Sequence, residues 1–193
     1  MKRKEYQQII RPLLSDHRYR HSVNVAKEAV RLAKRYGADP EKAETAGILH
    51  DIMKDTGPAD QLKIMERAGI VLTEVEQNAP KLWHAISGAL YVERELGVHD
   101  REILDAIRYH TSGRPNMGEL EKLIFLSDML EPGRDFPHIG KLREVFSRSL
   151  NECMYLSLRH ELKYLKKGKG TIYPLTFRAY EYYKELRSKS WNR

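Results

Sequence analysis

Ala46-Gly47-Ile48-Leu49-His50-Asp51-Ile52-Met53-Lys54-Asp55 is an apolar, helix-like run interrupted by an imidazole and a carboxylate side by side. A fully apolar helix would be more stable there, because a charge or an unpaired polar group withdrawn from water costs several kcal/mol unless something pairs with it. A metal ion accounts for the pair. Neutral nitrogen and charged oxygen suit zinc, iron or manganese better than calcium or a thiolate-bound ion. Two residues do not fill a coordination sphere, so the remaining ligands must come from elsewhere in the chain.

Working outward, helix signals dominate on both sides. Asp39 as N-cap and Pro40 at the first helical position open the helix that carries the pair, with His50 and Asp51 near its C-terminal end and a stop at Gly57-Pro58. Upstream, Ile9, Ile10, Leu13 and Leu14 mark a short helix over residues 4 to 14. Val23, Ala26, Val30 and Ala33 mark a second from about Asp16 to Tyr36, with His21 at the start of its stripe and Ser15 or Asp16 as cap. Downstream come a helix from Ala59 to Ala68, a capping signal at Thr73 and Glu76, a segment over 82 to 96 holding His84, and Asp100 to Tyr109 ending at His110. Met117 to Leu130 resumes helix with Asp128 near its end; residues 139 to 166 read as one long helix with a broad apolar face, and a last helix carries Arg178, Tyr180 and Tyr183. No strand pattern, repeat or linker interrupts this order, so the fold reads as all-α and as one domain over residues 1 to 193.

The chain of 193 residues is long enough to bury a core without staples, so a metal would be functional rather than structural. Cys153 is the only cysteine, which excludes an internal disulfide and thiolate-only metal sites and fits a reducing cytoplasm. No apolar run reaches the length that crosses a membrane, and the N-terminus has no apolar signal region. The formal charge of +7, from 34 Lys and Arg against 27 Asp and Glu, favours anionic partners. Much of the surplus lies near the C-terminus without interleaved aromatics, which disfavours nucleic acid as the partner.

His21, the His50-Asp51 pair and Asp128 fall at helix ends or on core-facing stripes, where helical bundles build metal sites. Asp128 stands against the helix dipole and needs a positive partner. His17, His99, His138 and His160 lie in polar neighbourhoods and read as ordinary histidines.

In order, Arg18-Tyr19-Arg20-His21-Ser22-Val23, Gly47 through Asp55, Trp83-His84-Ala85, Arg108-Tyr109-His110-Thr111, Phe125 through Arg134 and Ile172-Tyr173-Pro174-Leu175-Thr176 form six blocks spanning nearly the whole chain. Together they resemble the HD-domain metal-dependent phosphohydrolases, and more narrowly the YqeK family of symmetrical bis(5′-nucleosyl)-tetraphosphatases. Ile52-Met53 departs from the aromatic residue that relatives often carry after the pair. The resemblance implies an HD-domain bundle of roughly eight to ten helices. It implies that His21, His50, Asp51 and Asp128 hold a metal, iron by preference and one or two ions in all, with manganese, zinc, nickel or magnesium as alternatives. His84 and His110, with Asp51, would be catalytic, facing the substrate as proton donors or binding a second ion. The implied substrate is diadenosine tetraphosphate, split symmetrically into two ADP by metal-activated water. Arg18, Lys54 and Arg134 are placed to reach phosphate, and Gly170, Thr171, Ile172, Tyr173, Pro174 and Thr176 to wrap the nucleoside. Two rival readings stay open: an HD-superfamily phosphatase or phosphodiesterase acting on another nucleotide, and a basic helical RNA- or ribosome-binding module. The apolar face of 139 to 158 would serve a homodimer as readily as a core.

Overall fold

The computed structural model describes residues 3–168 and 172–191. Helices α1 (Arg3–Ile10), α2 (Asp16–Ala33), α3 (Pro40–Leu49), α4 (Pro58–Arg67), α5 (Glu74–Gln77), α6 (Trp83–Arg94), α7 (Arg101–Tyr109), α8 (Glu119–Leu130), α9 (Ile139–Phe146), α10 (Leu150–Lys167) and α11 (Pro174–Trp191) follow in order, with short 3-10 turns at Lys34–Tyr36 and Pro80–Leu82. No strand occurs among the described residues, as the helical periodicity requires.

Five of the helix starts among the described residues are set by N-cap side chains that satisfy orphan backbone N–H groups. Ser15 accepts from the Arg18 amide to start α2, Asp39 from Glu41 and Lys42 to start α3, and Asp100 from Glu102 and Ile103 to start α7. Thr73 and Glu76 form a reciprocal capping box at α5. One expectation fails. The stretch read as a single helix over 139 to 166 breaks between Phe146 and Leu150, where Ser149 turns extended (φ −153°, ψ 117°) and accepts from the Glu152 amide. Ser149-Leu150-Asn151-Glu152 is a Ser-x-x-Glu start signal, and it outweighs an apolar stripe that continues across it. The break contributes to a total of eleven α-helices among the described residues, slightly above the expected range.

The core is built around α8, whose Leu123, Ile124, Leu126 and Leu130 are buried to 1% exposure or less. α2, α3, α7 and α10 pack around it. The apolar face of 139 to 158 is consumed here: Ile139, Leu142, Phe146, Leu150, Cys153, Met154 and Leu158 all belong to the chain's own core. α2 and α3 have the most extensive helix pairing, and Gly47 permits it. A Cβ at that position would lie 2.5 Å from Ala26 Cα and 2.9 Å from Ala26 N, so the two backbones approach closer than any side chain allows. This contact brings His21 on α2 alongside the end of α3.

Candidate metal and phosphate site

His50 and Asp51 do not lie inside a helix, as their apolar surroundings suggested. α3 ends at Leu49, His50 is its C-cap, and residues 50 to 55 form a succession of turns. The cause is the imidazole. In a continuing helix the Gly47 carbonyl would accept from the Asp51 amide; instead it receives His50 Nδ1 at 2.8 Å. The backbone then tightens into i→i+3 bonds, Ile52 to Leu49 and Lys54 to Asp51. His110 repeats the device as C-cap of α7, with Nδ1 donating to the Ile107 carbonyl at 2.7 Å.

A carbonyl only accepts, so Nδ1 carries the hydrogen in both rings and, in the neutral imidazole, Nε2 is left as a lone pair facing the site. His50 Nε2 is fully buried and has no hydrogen-bond partner. Asp51 Oδ2 lies 3.7 Å from it and Asp128 Oδ1 3.9 Å. Burial pushes the His50 pKa down to about 4, despite the attraction of Asp51. A neutral nitrogen lone pair converging on two carboxylate oxygens is repulsive unless a cation stands between them. The donors therefore fit a metal, and their nitrogen and carboxylate chemistry suits a borderline divalent ion.

The remaining residues converge on the same point. His21 Nε2 is 2.9 Å from Asp128 Oδ1 and 3.9 Å from Asp51 Oδ2. Asp51 presents its other oxygen, Oδ1, to His84 Nε2 at 3.3 Å and His110 Nε2 at 3.5 Å. Three sets of potential ligands overlap: His21, His50 and Asp51; His50, His110 and Asp128; Asp51, His84 and His110. All six expected residues thus form one cluster. Burial would raise both carboxyl pKa values, but the surrounding histidines, His50 for Asp51 and the hydrogen bond from His21 for Asp128, hold both groups well below the usual carboxylate range.

Cations ring the cluster as expected. Arg18 NH1 donates to Asp51 Oδ2 at 3.2 Å, and Lys54 Nζ is 3.1 Å from His84 Nε2. Arg134 supplies the positive partner that Asp128 requires, with NH2 2.8 Å from Oδ1 and Nε donating to the Asp128 carbonyl at 3.0 Å. Burial lowers the Lys54 pKa.

The stretch expected to wrap the nucleoside, Gly170 to Thr176, falls partly among the described residues. Gly170 and Thr171 lie outside the described residues. Ile172 and Tyr173 precede α11 outside any helix, while Pro174 and Thr176 belong to its first turn rather than to a loop, in keeping with proline's preference for the first helical position. The Thr176 side chain is buried. Tyr173 donates to Glu76 Oε1 at 2.9 Å, and Arg108 NH2 reaches the same oxygen at 3.3 Å.

A family model described as HD domain matches residues 18–133 of this chain, from Arg18 past Asp128. The chain belongs to the HD domain family. Over 94% of its length it is 41% identical to a Bacillus subtilis protein named bis(5′-nucleosyl)-tetraphosphatase, symmetrical, covering 97% of that protein. A Staphylococcus aureus protein of the same name is 35% identical, with 88% of each chain covered. The crystal structure of a predicted HD superfamily hydrolase involved in NAD metabolism from Clostridium acetobutylicum superposes with a TM-score of 0.93 at 32% identity, covering 96% of this chain and 98% of that one.

Within the HD domain one supporting residue escaped the sequence reading. Glu131 Oε1 is 3.2 Å from His21 Nδ1, and its Oε2 accepts from Asn24 Nδ2 at 3.0 Å and from the Gly133 amide at 2.6 Å. A carboxylate on the far nitrogen fixes a ligating imidazole's tautomer and orientation. The available signal is its place in the Phe125-through-Arg134 block, three residues after Asp128. Glu131→Gln is expected to weaken divalent-metal affinity about 10- to 100-fold, measured by competition with a chelating dye. Unchanged affinity would reduce Glu131 to a loop cap.

Proposed function

We propose that the protein hydrolyses dinucleoside tetraphosphates symmetrically, diadenosine tetraphosphate to two ADP, with the chain acting as one domain. The observation that carries this reading is the convergence of six nitrogen and oxygen donors with three cationic side chains in one place, on a chain similar over nearly its full length to proteins bearing that name. His21, His50, Asp51 and Asp128 would hold the cation, with iron our first choice and manganese, zinc, nickel or magnesium fitting the same donors. When bound, such an ion supplies positive charge and lowers the pKa of water toward neutrality.

The chain's own residues do the rest. Arg18, Lys54 and Arg134 exchange their present partners for phosphate oxygens and neutralise charge spread over the transferring group, the main demand of phosphoanhydride cleavage. His84 and His110 form a proton-holding pair. Because His110 Nδ1 is committed to a carbonyl, a proton shared between the two Nε2 atoms, 3.2 Å apart and both within 3.2 Å of Thr111 Oγ1, is the one available to the departing ADP oxygen. The single cysteine, Cys153, is buried and free, and among the described residues no helix is long and apolar enough to cross a membrane; both suit a cytoplasmic enzyme.

Nucleotide product analysis over a panel of metals tests the substrate, the cleavage position and the ion together. ADP is expected as sole product from diadenosine tetraphosphate. Release of phosphate from mononucleotides with the tetraphosphate left intact would favour the alternative of an HD phosphatase on another nucleotide. Salt-sensitive RNA binding that survives loss of Asp51 would favour the binding module.

A further inference from the structure

Beside the metal cluster opens a cavity of about 390 Å³ that the mechanism above does not use. One wall belongs to the site itself, His110, Thr111, Asp128 and Arg134; the other is made by Phe136, His160, Glu161 and Tyr164. Its volume falls in the roughly 300–1,000 Å³ range of small-molecule sites.

The far wall has the composition of a base-binding surface. The Phe136 and His160 rings lie 4.8 Å apart, tilted by 38°. Tyr164 is 74% exposed at the rim, so its packing in the folded chain does not explain a large aromatic there. Glu161 has no hydrogen bond or ion pair among the described residues, although it lines the cavity. Thr111 lines this cavity and also borders a second cleft, with Glu76, Arg108 and Tyr173, that has no room for a water molecule while Tyr173 is bonded to Glu76. A dinucleoside tetraphosphate whose central phosphates lie at the metal cluster must send one nucleoside each way. The family resemblance assigns one half to the Tyr173 side, and nothing assigned so far takes the other.

We propose that the cavity bounded by Phe136, His160, Glu161 and Tyr164 is the subsite for the second purine nucleoside, with the base stacked on the aromatic side chains and the Glu161 carboxyl hydrogen-bonded to its edge. The assignment rests on the hydrolase reading above. Stacking on aromatic faces is sequence-tolerant and strong enough to dominate the affinity of such a subsite. Glu161 lines the cavity beside the aromatic wall, where its carboxyl oxygens can accept from an exocyclic amino group on the base edge.

Calorimetric titration of ADP into manganese-loaded protein tests the subsite without turnover. Two equivalents per chain are expected for the wild type and one for Phe136→Ala. Tyr164→Ala, at an exposed position that spares the core, weakens the second equivalent about tenfold, and Glu161→Ala does so at least about fivefold. In parallel, the KM for diadenosine tetraphosphate should rise about tenfold in Phe136→Ala and Tyr164→Ala. The KM for adenosine 5′-tetraphosphate, whose single nucleoside can use the Tyr173 side, should stay within about twofold. One ADP equivalent in the wild type, or equal changes for both substrates, overturns the subsite. An unchanged second equivalent in Glu161→Ala overturns the role of the carboxyl. Two equivalents without tetraphosphate cleavage would sink the hydrolase reading and leave the subsite standing.

Discussion

Asp51→Asn is expected to lower kcat/KM for diadenosine tetraphosphate by at least about 10³-fold, near 4 kcal/mol of transition-state stabilisation, and to leave the purified protein without stoichiometric metal. The two side chains are nearly isosteric, and Asp51 is 2% exposed, so the replacement keeps the packing and removes the charge. Its effect is large because Asp51 is shared. Oδ2 faces Arg18, His21 and His50, and Oδ1 faces His84 and His110. An asparagine offers a single weaker acceptor and turns an N–H pair toward donors or lone pairs that expected an anion. Elemental analysis and steady-state kinetics read the two losses, with far-UV circular dichroism as the control for folding. A variant that kept its metal and more than about a tenth of wild-type activity would show that the cluster is not the reaction centre.

The largest effect on stability is expected from the smallest substitution, Gly47→Ala. One added methyl would meet Ala26 backbone at 2.5 Å, and backbone cannot swing aside as a flexible side chain does. Relief requires α2 and α3 to separate. Overpacking of this kind costs about 3 kcal/mol, roughly 6–12 °C in melting temperature for a chain of this size. Because His21 rides on α2 and His50 caps α3, the same separation should weaken metal binding. Differential scanning calorimetry checks the first effect and chelator competition the second. A melting temperature within about 2 °C of wild type would mean that the helices yield without penalty.

The sequence exposed what is encoded locally. Ser15, Asp39, Thr73 and Asp100 each announce a helix start through a side chain that serves amides two or three residues away, and each is realised. The metal-type residues were legible because buried imidazole and carboxylate on apolar stripes are costly without a reason. Hidden features depend on competition or on distance. Apolar periodicity cannot show that His50 takes the Gly47 carbonyl from the Asp51 amide, nor that Ser149 overrides the stripe from α9 into α10. Glu131, Glu161 and Phe136 come to the site from turns and from a helix with no special motif, and only the folded chain brings them there.

The cluster draws on α2, the turn after α3, α6, the end of α7 and α8, segments separated by up to 107 residues in sequence. Unfolding scatters these donors, so a cation held among them binds the native state alone, and its binding energy becomes folding energy. At a free concentration 100 times its dissociation constant, the native state gains about 2.7 kcal/mol. Without the ion, the same place carries a partnerless imidazole nitrogen between two buried carboxylates. Metal supply in the cell would then set how much of this chain survives to be active, as well as how fast each copy turns over.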